Sequence, residues 1–319
     1  MKIILHNPQS YLTHPLYILS NHYYYEVNMS AVRKKLVPKK VKKAARALSN
    51  ISKTFRFRIR TYRPNITIHE ENSRFIVKTV QNGSELMDVL KLRYEVFYSE
   101  YVGAVTDDGV PGIDVDKFDI LFDHLAIIDR KTEKTVGTYR LNCTKFNDKF
   151  YSEKEFKMKS IEKLKGHKIE LGRACVHPDY RNGVTIAALW KGLGAYMQAT
   201  ESRYMFGCSS IHAEDTFQIA LIHHWLKTSM EESHDDVRPR KKFRDPRFDH
   251  MVEKLGEERF SPFREAAGNL VPPLLLSYLK AGGRVCGEPA LDKAFHCYDY
   301  FTLIDREKMD KGFIRKFLG

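Results

Sequence analysis

Beyond Pro64, apolar positions recur with the two periods that distinguish strands from helices. Alternating or continuous apolar residues predict strands, and apolar residues three and four apart predict helices. Strands are expected at residues 74–80, 123–130, 135–142, 168–176, 204–212, 284–287 and 295–304, and helices at 84–101, 184–203, 216–227 and 271–282. Ser84 is the expected N-cap of the first helix, and the charged segment 228–263 is expected to be an elaborated loop. This order of elements is typical of an α/β domain.

A basic amphipathic segment precedes this domain. Between Val32 and Ile51, apolar residues lie at helical spacing while Lys and Arg cover the remaining surface. Between Phe55 and Arg63, apolar residues alternate with Arg, which predicts a strand or an extended arm. We therefore divide the chain into a basic N-terminal extension, residues 1–70, and a domain, residues 71–319. The extension is typical of a solvated tail, of a segment that contacts an anionic membrane surface, or of a nucleic-acid-binding arm.

The excess charge of the chain is confined to this extension. Of 319 residues, 53 are Lys or Arg and 40 are Asp or Glu, which gives a formal net charge of +13. The segment from Val27 to His69 holds 13 of the basic residues and no acidic one, so the rest of the chain is balanced. A nucleic-acid-binding protein is expected to carry basic patches on its fold as well. The charge distribution therefore favours an anionic membrane surface, and not nucleic acid, as a partner.

Several classes of protein are excluded. The five cysteines are widely spaced and form no C-x-x-C pair, which is typical of reduced thiols in a cytosolic protein. No apolar stretch approaches the roughly 20 residues of a transmembrane helix, and no secretory signal is present. P-loop, G-x-S-x-G, H-E-x-x-H and G-x-G-x-x-G motifs are missing. We expect a cytoplasmic protein, peripheral at the inner face of the cytoplasmic membrane, with no metal site and no bound cofactor.

Charged residues interrupt or border several of the apolar elements. They are Arg93 in the first helix, Asp116 and Asp119 before a strand, Arg140 in a strand, and Glu170 and Arg173 in the next strand. An unpaired buried charge costs several kcal/mol, so these residues are expected to compensate one another. The residues alone leave two interpretations open, a structural ion-pair network and an active site.

The order and spacing of these residues resemble those of a known family of enzymes. The segments LRYEVF, D-x-x-D, VGTYRL and ELGR are similar to segments of the acyl-homoserine lactone synthases. The seven matching positions are Arg93, Phe97, Asp116, Asp119, Arg140, Glu170 and Arg173. Longer segments, 170–197 and 272–301, resemble the ornithine N-acyltransferases that make lyso-ornithine lipid, and this resemblance covers residues 74–305. It implies a GNAT-like acyltransferase fold of the α/β class, with a central mixed sheet flanked by helices.

The resemblance also implies a reaction and its substrates. We expect an N-acyltransferase that moves a long, 3-hydroxylated acyl chain from acyl carrier protein to the α-amine of ornithine or a similar amino acid. The expected co-substrate is acyl-acyl carrier protein, a phosphopantetheine thioester. In acetyl-CoA-dependent GNAT enzymes, glycines of the pyrophosphate-binding loop stand where this chain has Asn182, Val184 and Ile186. Arg181, at a turn before a helix, is a candidate to bind the pantetheine phosphate.

Amine acylation requires a neutral amine and a polarised thioester carbonyl. Glu170 is the candidate base for the amine. Backbone N–H groups around Gly172 and Arg173 are the candidate donors to the thioester oxygen as it gains negative charge.

Further residues are candidates for binding the substrates. They are Arg93, Phe97, Asp116, Asp119, Arg140 and Arg181. Asp116 and Asp119 are expected to bind the cationic groups of the amino acid, and Arg140 or Arg173 its carboxylate. In an alternative interpretation, Arg93, Asp116 and Glu170 only brace one another.

Other functions remain open at this point. One alternative is an acyl-homoserine lactone synthase, and another is an N-acyltransferase for a different amino acid such as glycine. A non-enzymatic alternative is a basic, membrane-associated module with an inert GNAT core. Polar residues are present on every element where the family has them, which favours the enzyme.

Overall fold

The computed structural model describes residues 57–100, 112–227, 234 and 236–317. They belong to a compact unit that runs from Thr54 to Gly319. The predicted boundary at residue 70 lies inside this unit, since Ile59, Tyr62 and Ile68 are buried in its core. Residues 57–60 form a helical turn, so the strand or arm predicted there is wrong. The basic helix predicted between Val32 and Ile51 lies outside the described residues.

The strands form one large mixed sheet and one small sheet. They are β1 (His69–Glu71), β2 (Phe75–Thr79), β3 (Asp123–Asp129), β4 (Thr135–Cys143), β5 (Phe156–Lys157), β6 (His167–Val176), β7 (Ser202–Ile211), β8 (Arg238–Pro239), β9 (Arg284–Asp292) and β10 (Cys297–Asp305). The large sheet has the order β1-β2-β3-β4-β6-β7-β10-β9, and β5 pairs with β8. In the large sheet β6 and β7 are parallel, and the other neighbours are antiparallel.

Helices cover both faces of the large sheet. They are α1 (Gly83–Glu100), α2 (Lys159–Glu162), α3 (Gly183–Ala199), α4 (Thr216–Leu226), α5 (Pro246–Phe260), α6 (Arg264–Asn269), α7 (Pro273–Lys280) and α8 (Lys311–Phe317). The main core packs α3, α4 and α7 against one face, with Trp190 and Leu275 among its buried side chains. On the other face, α1 packs through Leu86 and Leu90, and the segment around Phe156 covers the remainder. Among the described helices, none is long and apolar enough to cross a membrane.

Several element predictions need correction. The segment 228–263 was expected to be a loop, but it contains α5, which buries Phe248, Leu255 and Phe260. The N-cap of α1 is Asn82 and not Ser84, because the Asn82 side chain accepts hydrogen bonds from the backbone N–H groups of residues 84 and 85 at 3.0 and 3.1 Å. Helix α3 ends earlier than predicted, since the chain turns at Glu201 with φ of 55° and enters β7.

The sheet opens between β6 and β7. Their pairing ends at Leu171 and Gly207, while β6 continues along β4 and β7 continues along β10. A Cβ atom at Gly207 would lie 2.2 Å from the carbonyl oxygen of Leu171, so glycine is required where the strands approach most closely. Beyond this point the edge of β6 that faces β7 has no partner strand among the described residues. The separation of the two strands positions the site described below.

Candidate active site

A cavity of about 240 Å³ lies where β6 and β7 separate. Successive residues of a strand point to opposite faces of the sheet, so the cavity has two chemically different sides. The polar side includes Arg140, Tyr151, Ser152, Glu170, Cys208 and Asp299, and the apolar side includes Tyr139, Leu171, Met205, Leu275, Tyr278 and Ile304. Of the nine predicted site residues, Phe97, Arg140, Glu170, Gly172 and Arg173 line this cavity.

Three arginines and three aspartates form a buried network beside the cavity. Arg93 donates from Nε to Asp114 Oδ2 at 2.7 Å and from Nη1 to Asp119 Oδ1 at 2.7 Å. Arg140 donates from Nη1 to Asp116 Oδ1 at 2.8 Å and to Asp119 Oδ1 at 3.0 Å. Burial disfavours the Asp119 charge, but Arg93 and Arg140 outweigh this effect and hold the pKa of that carboxyl well below its usual range.

This geometry leaves Asp119 little capacity to bind a substrate. Both of its oxygens accept from Arg93, and Oδ2 also accepts the backbone N–H of Asp116 at 2.6 Å. The side chains of Arg93 and Asp119 are fully buried. Asp114, which no sequence pattern indicated, is the second acid that neutralises Arg93. Arg93 and Asp119 therefore brace the wall of the cavity, and the predicted contact of Asp119 with a cationic group of the amino acid does not fit.

Arg173 is held in a strained backbone conformation that turns it toward the cavity. A β-bulge places Arg173 and Ala174 opposite the single residue Tyr139 of β4, and Arg173 has φ of 50°. Its Nε atom lies 3.3 Å from Asp114 Oδ2, and its guanidinium lies over the rings of Tyr151 and Phe295 at 5.2 and 5.1 Å. The bulge thus brings a cation to the cavity beside Gly172.

Glu170 is held by backbone and hydroxyl donors. Its Oε2 accepts the N–H of Tyr151, and its Oε1 accepts the N–H and the hydroxyl of Ser152, each at 2.7 Å. Burial raises the pKa of the Glu170 carboxyl, and the bonds from Ser152 and Tyr151 offset part of this effect. The alternative in which Glu170 braces Arg93 and Asp116 is therefore wrong. Tyr151 and Ser152 lie at the start of a short 3-10 helix, Ser152–Lys154, and no sequence pattern pointed to them.

A cluster of three acidic residues, separate from the arginine–aspartate network, borders the polar side of the cavity. Each of Glu155, Asp292 and Asp299 offers a carboxylate oxygen, and these oxygens lie within 4.8 Å of one another. All three residues are buried, and Asp292 and Asp299 line the cavity. Burial, together with the charge of Asp299, raises the pKa of Glu155 well above its usual value. Burial also raises the pKa of Asp299. Asp299 interrupts an apolar strand just as Arg140 does, so the signal that identified Arg140 was also present here.

The turn before α3 holds Arg181 outside this cavity. Arg181 is exposed, and its Nε donates to the carbonyl of Val176 at 3.1 Å. The next residue, Asn182, caps α3, and its Oδ1 accepts the N–H groups of Val184 and Thr185 at 3.0 and 3.1 Å. Two N–H groups at this helix N-terminus therefore already have a partner within the chain.

The mixed sheet flanked by helices has the GNAT fold. A family model described as an acetyltransferase (GNAT) domain matches residues 92–191. The predicted fold class is therefore confirmed, and so is the prediction that the protein is an acyltransferase enzyme. The inert-core alternative is wrong.

Two bacterial relatives define the family more closely. The L-ornithine N(alpha)-acyltransferase of Rhodobacter capsulatus is 30% identical over 249 residues, which cover 74% of this chain and 91% of that protein. The enzyme of the same name from Brucella abortus is 29% identical over 254 residues, which cover 75% and 86%. The chain belongs to the family of the L-ornithine N(alpha)-acyltransferases, as the sequence resemblance implied.

Solved structures show a more distant similarity. The crystal structure of the acyl-homoserine lactone synthase LasI is 13% identical, with a TM-score of 0.43, and the match covers 77% of this chain and 95% of LasI. An N-acyl amino acid synthase from uncultured soil microbes, FeeM, is 10% identical with a TM-score of 0.38, and the match covers 74% and 92%.

Proposed function

We propose that this enzyme transfers a long, 3-hydroxylated acyl chain from acyl carrier protein to the α-amine of ornithine, which gives a lyso-aminolipid. The observation that carries the proposal is the distribution of charge in the cavity. Arg140 and Arg173 line it together with Asp292 and Asp299, and its other side is apolar. One cavity thus offers partners for a carboxylate, for an ammonium group and for an acyl chain.

The charges of ornithine suggest how it binds. Its carboxylate pairs with Arg173, which the bulge turns toward the cavity and which keeps about 12% of its side chain exposed. Its side-chain ammonium pairs with Asp299 and Asp292, with Glu155 behind them. An ammonium group there relieves the burial and mutual repulsion that raise the pKa values of Glu155 and Asp299. These acids take the place of Asp116 and Asp119, whose partners are arginines.

The α-amine must lose a proton before it attacks. An α-amino group has a pKa of about 7.7–8.0, so most of it is protonated at neutral pH. Glu170 takes this proton, directly or through Ser152. The raised pKa of Glu170 brings it closer to neutrality, where a general base works best. The nitrogen then bonds to the acyl carbonyl carbon and loses its second proton, the C–S bond breaks, and the pantetheine sulfur leaves and takes up that proton.

Backbone N–H groups of the bulge support the carbonyl oxygen in this step. The edge of β6 from Gly172 to Ala174 is not paired with β7, so those backbone N–H groups that point to this edge have no partner in β7 and can donate to the oxygen. A Cβ atom built on Gly172 meets nothing within 4 Å, which leaves room for the thioester at this position. In other enzymes one such donor contributes about 10²- to 10³-fold in rate.

The N-terminus of α3 favours a carrier-bound donor. Asn182 occupies two of the N–H groups that a diphosphate would otherwise bind at a helix N-terminus. The phosphopantetheine arm carries a single phosphate, for which Arg181 at the same turn suffices. A carrier protein therefore fits this turn better than coenzyme A does.

An exposed basic run offers a docking surface for acidic acyl carrier protein. It consists of Arg238, Arg240, Lys241, Lys242 and Arg244. Arg240 donates from its backbone N–H to the carbonyl of Glu155 at 2.7 Å and from Nε to that of Glu153 at 2.6 Å. The run therefore adjoins the short 3-10 helix whose first residues hold Glu170. Complementary charge accelerates association and specifies the partner.

One assay tests reaction, donor and acceptor together. The full-length protein is given 3-hydroxyacyl-carrier protein or the matching acyl-CoA, with ornithine, lysine, glycine and norvaline as acceptors, and the products are identified by mass spectrometry. We expect N-acylornithine from the carrier-bound donor and little product from norvaline, which lacks the side-chain amine. Asp299→Asn is expected to reduce this preference, while Asp129→Asn, away from the cavity, is expected to preserve it. A lactone product, or equal use of norvaline, would contradict the proposal.

The basic extension suggests where the product is delivered. Each Lys or Arg near an anionic leaflet contributes on the order of 1 kcal/mol, and salt screens this attraction. We propose that the segment from Val32 to Arg63 holds the enzyme at the inner face of the cytoplasmic membrane. Replacing Lys39, Lys40, Lys42 and Lys43 with Gln should reduce co-sedimentation with anionic vesicles. The same change at Lys131, Lys134, Lys145 and Lys149 should not. Binding that is insensitive to salt, or equal in both variants, would contradict this role.

A further inference from the structure

The apolar side of the cavity belongs to the main hydrophobic core. Its lining residues Tyr139, Leu171, Met205, Leu275, Tyr278 and Ile304 are all buried and all belong to the core cluster that packs α3 and α7 onto the sheet. A flexible acyl chain that enters the cavity between β6 and β7 therefore extends along buried, mostly apolar side chains. The residues that close the apolar side of the cavity therefore limit the length of the acyl chain that fits.

Two tyrosines from different elements meet there. The hydroxyls of Tyr139 on β4 and Tyr278 on α7 form a hydrogen bond to each other, and both residues line the cavity. Their exposed fractions are 1% and 6%. Each is a polar group in an apolar surrounding, and each finds its hydrogen-bond partner in the other.

Tyr278 is held in place from behind. The indole of Trp190 packs edge-on against its ring, with 5.8 Å between ring centroids. Trp190 also donates from Nε1 to the hydroxyl of Ser277, the residue before Tyr278, at 3.3 Å. The wall formed by Tyr278 is therefore fixed by packing and by a hydrogen bond, and is not free to swing away.

We propose that the Tyr139–Tyr278 pair closes the acyl site and limits the length of the acyl chain that the enzyme accepts. This inference rests on the proposed function and specifies which acyl chains the enzyme selects. A chain that ends at the pair fills the apolar side and leaves both hydroxyls bonded. A longer chain has to separate them, which leaves buried hydroxyls without partners, and a shorter chain leaves unfilled space.

The test is a competition between chain lengths. Full-length enzyme receives ornithine and an equimolar mixture of carrier-bound saturated chains from decanoyl to eicosanoyl, and the N-acylornithine products are quantified by mass spectrometry. For Tyr278→Leu we expect the ratio of the next longer product to the wild-type optimum to rise by about tenfold, the lower end of the discrimination that one methylene provides in an apolar pocket. Tyr139→Leu should shift the ratio in the same direction. Leu279→Ala, on the same helix but not lining the cavity, should leave the ratio unchanged.

The ratio of two products does not depend on the amount of folded enzyme, so partial unfolding of a variant does not change this ratio. The thermal shift produced by free fatty acids of each length gives a second readout that needs no turnover. If neither measurement shows a changed chain-length profile for Tyr278→Leu or Tyr139→Leu, the tyrosine pair does not limit the length of the acyl chain. The proposed function would remain intact. Wild-type enzyme that acylates no ornithine at any chain length would overturn the proposed function itself.

Discussion

Ser152 donates both its backbone N–H and its hydroxyl to the same carboxylate oxygen of Glu170, each at 2.7 Å. Burial raises the pKa of Glu170, and the bonds from Ser152 are the largest opposing influence. Ser152 therefore sets how readily Glu170 accepts a proton. If Glu170 is the base of the reaction, this relationship must be visible in the dependence of activity on pH.

Ser152→Ala removes the hydroxyl donor and keeps the backbone donor. The pKa of Glu170 should then rise further, and since a base must be deprotonated to act, the acidic limb of kcat/KM should move to higher pH. The measurement is a pH profile of the variant beside the wild type. Ser160→Ala, away from the cavity, serves as control and should leave the limb in place. If the acidic limb of kcat/KM lies at the same pH in Ser152→Ala as in the wild type, Glu170 is not the titrating base.

Glu170→Gln removes the basicity of this side chain. Turnover should fall by about 10²-fold or more, and raising the pH should restore part of it because more of the amine arrives neutral. The amide NH₂ would face the N–H of Tyr151 or the donors of Ser152, so some loss of stability is also expected. Thermal melting separates the two effects. If activity falls only in proportion to the folded fraction, Glu170 has a structural role alone.

Arg93→Met tests whether the buried network is structural. It leaves Asp114 and Asp119 buried without their main partner, which typically costs about 3–5 kcal/mol of unfolding free energy. Arg130→Met is the matched control, because Arg130 lies 3.7 Å from Glu71 and both side chains are about half exposed. Exposed pairs contribute about 1 kcal/mol or less. If denaturant unfolding shows the same loss of unfolding free energy in both variants, the network does not stabilise the fold.

The cap of α3 offers a test of donor choice. Asn182→Gly costs only a few tenths of a kcal/mol of helix stability. It also frees the N–H groups of Val184 and Thr185 for phosphate. We expect kcat/KM for acyl-CoA to rise relative to the carrier-bound donor. Asn82→Gly makes the same change at the N-terminus of α1 and should leave this ratio unaltered. If Asn182→Gly and Asn82→Gly change the ratio of kcat/KM values for the two donors equally, the cap of α3 does not favour a carrier-bound donor.

Much of the sheet could be predicted from the sequence, because alternating apolar residues mark its strands. Helix α5 was missed because its buried residues Phe248, Leu255 and Phe260 are few and lie among charges. Residues 57–60 form a helical turn although their pattern predicts a strand, since a run of four residues fits either period. Local pattern is reliable only where an element is long enough to repeat it.

The site could be predicted only where its residues interrupt an apolar element. Arg140 and Glu170 were identified in this way, and Asp299 carries the same signal in β10. Asp114 lies in a loop and Ser152 at the start of a single 3-10 turn, and their positions depend on tertiary contacts that no periodicity records. Sequence therefore identified several of the charged side chains, but not which of them pair with one another.

The acidic group beside the cavity makes a prediction about stability and pH. Burial raises the pKa values of Glu155 and Asp299, and Glu155 is raised further by its neighbour, so the folded state binds protons more tightly than the unfolded state. Their contribution to stability is complete below the ordinary carboxyl pKa of about 4 and is lost as pH rises through the raised values. Glu155→Gln removes one of the charges that must be buried at higher pH.

The variant should therefore gain stability relative to the wild type as pH rises, and the difference should shrink toward acidic pH, where both proteins are neutral at this position. Melting temperatures across this range give the measurement, with roughly 2–4 °C for each kcal/mol in a domain of about 150–250 residues. Glu162→Gln, at an exposed site, should give a difference that does not vary with pH. Ornithine should stabilise the wild type more than norvaline does, because its second ammonium group neutralises the cluster. A pH-independent difference for Glu155→Gln would mean that the cluster does not titrate, and its assignment as the ammonium site would then have no electrostatic basis.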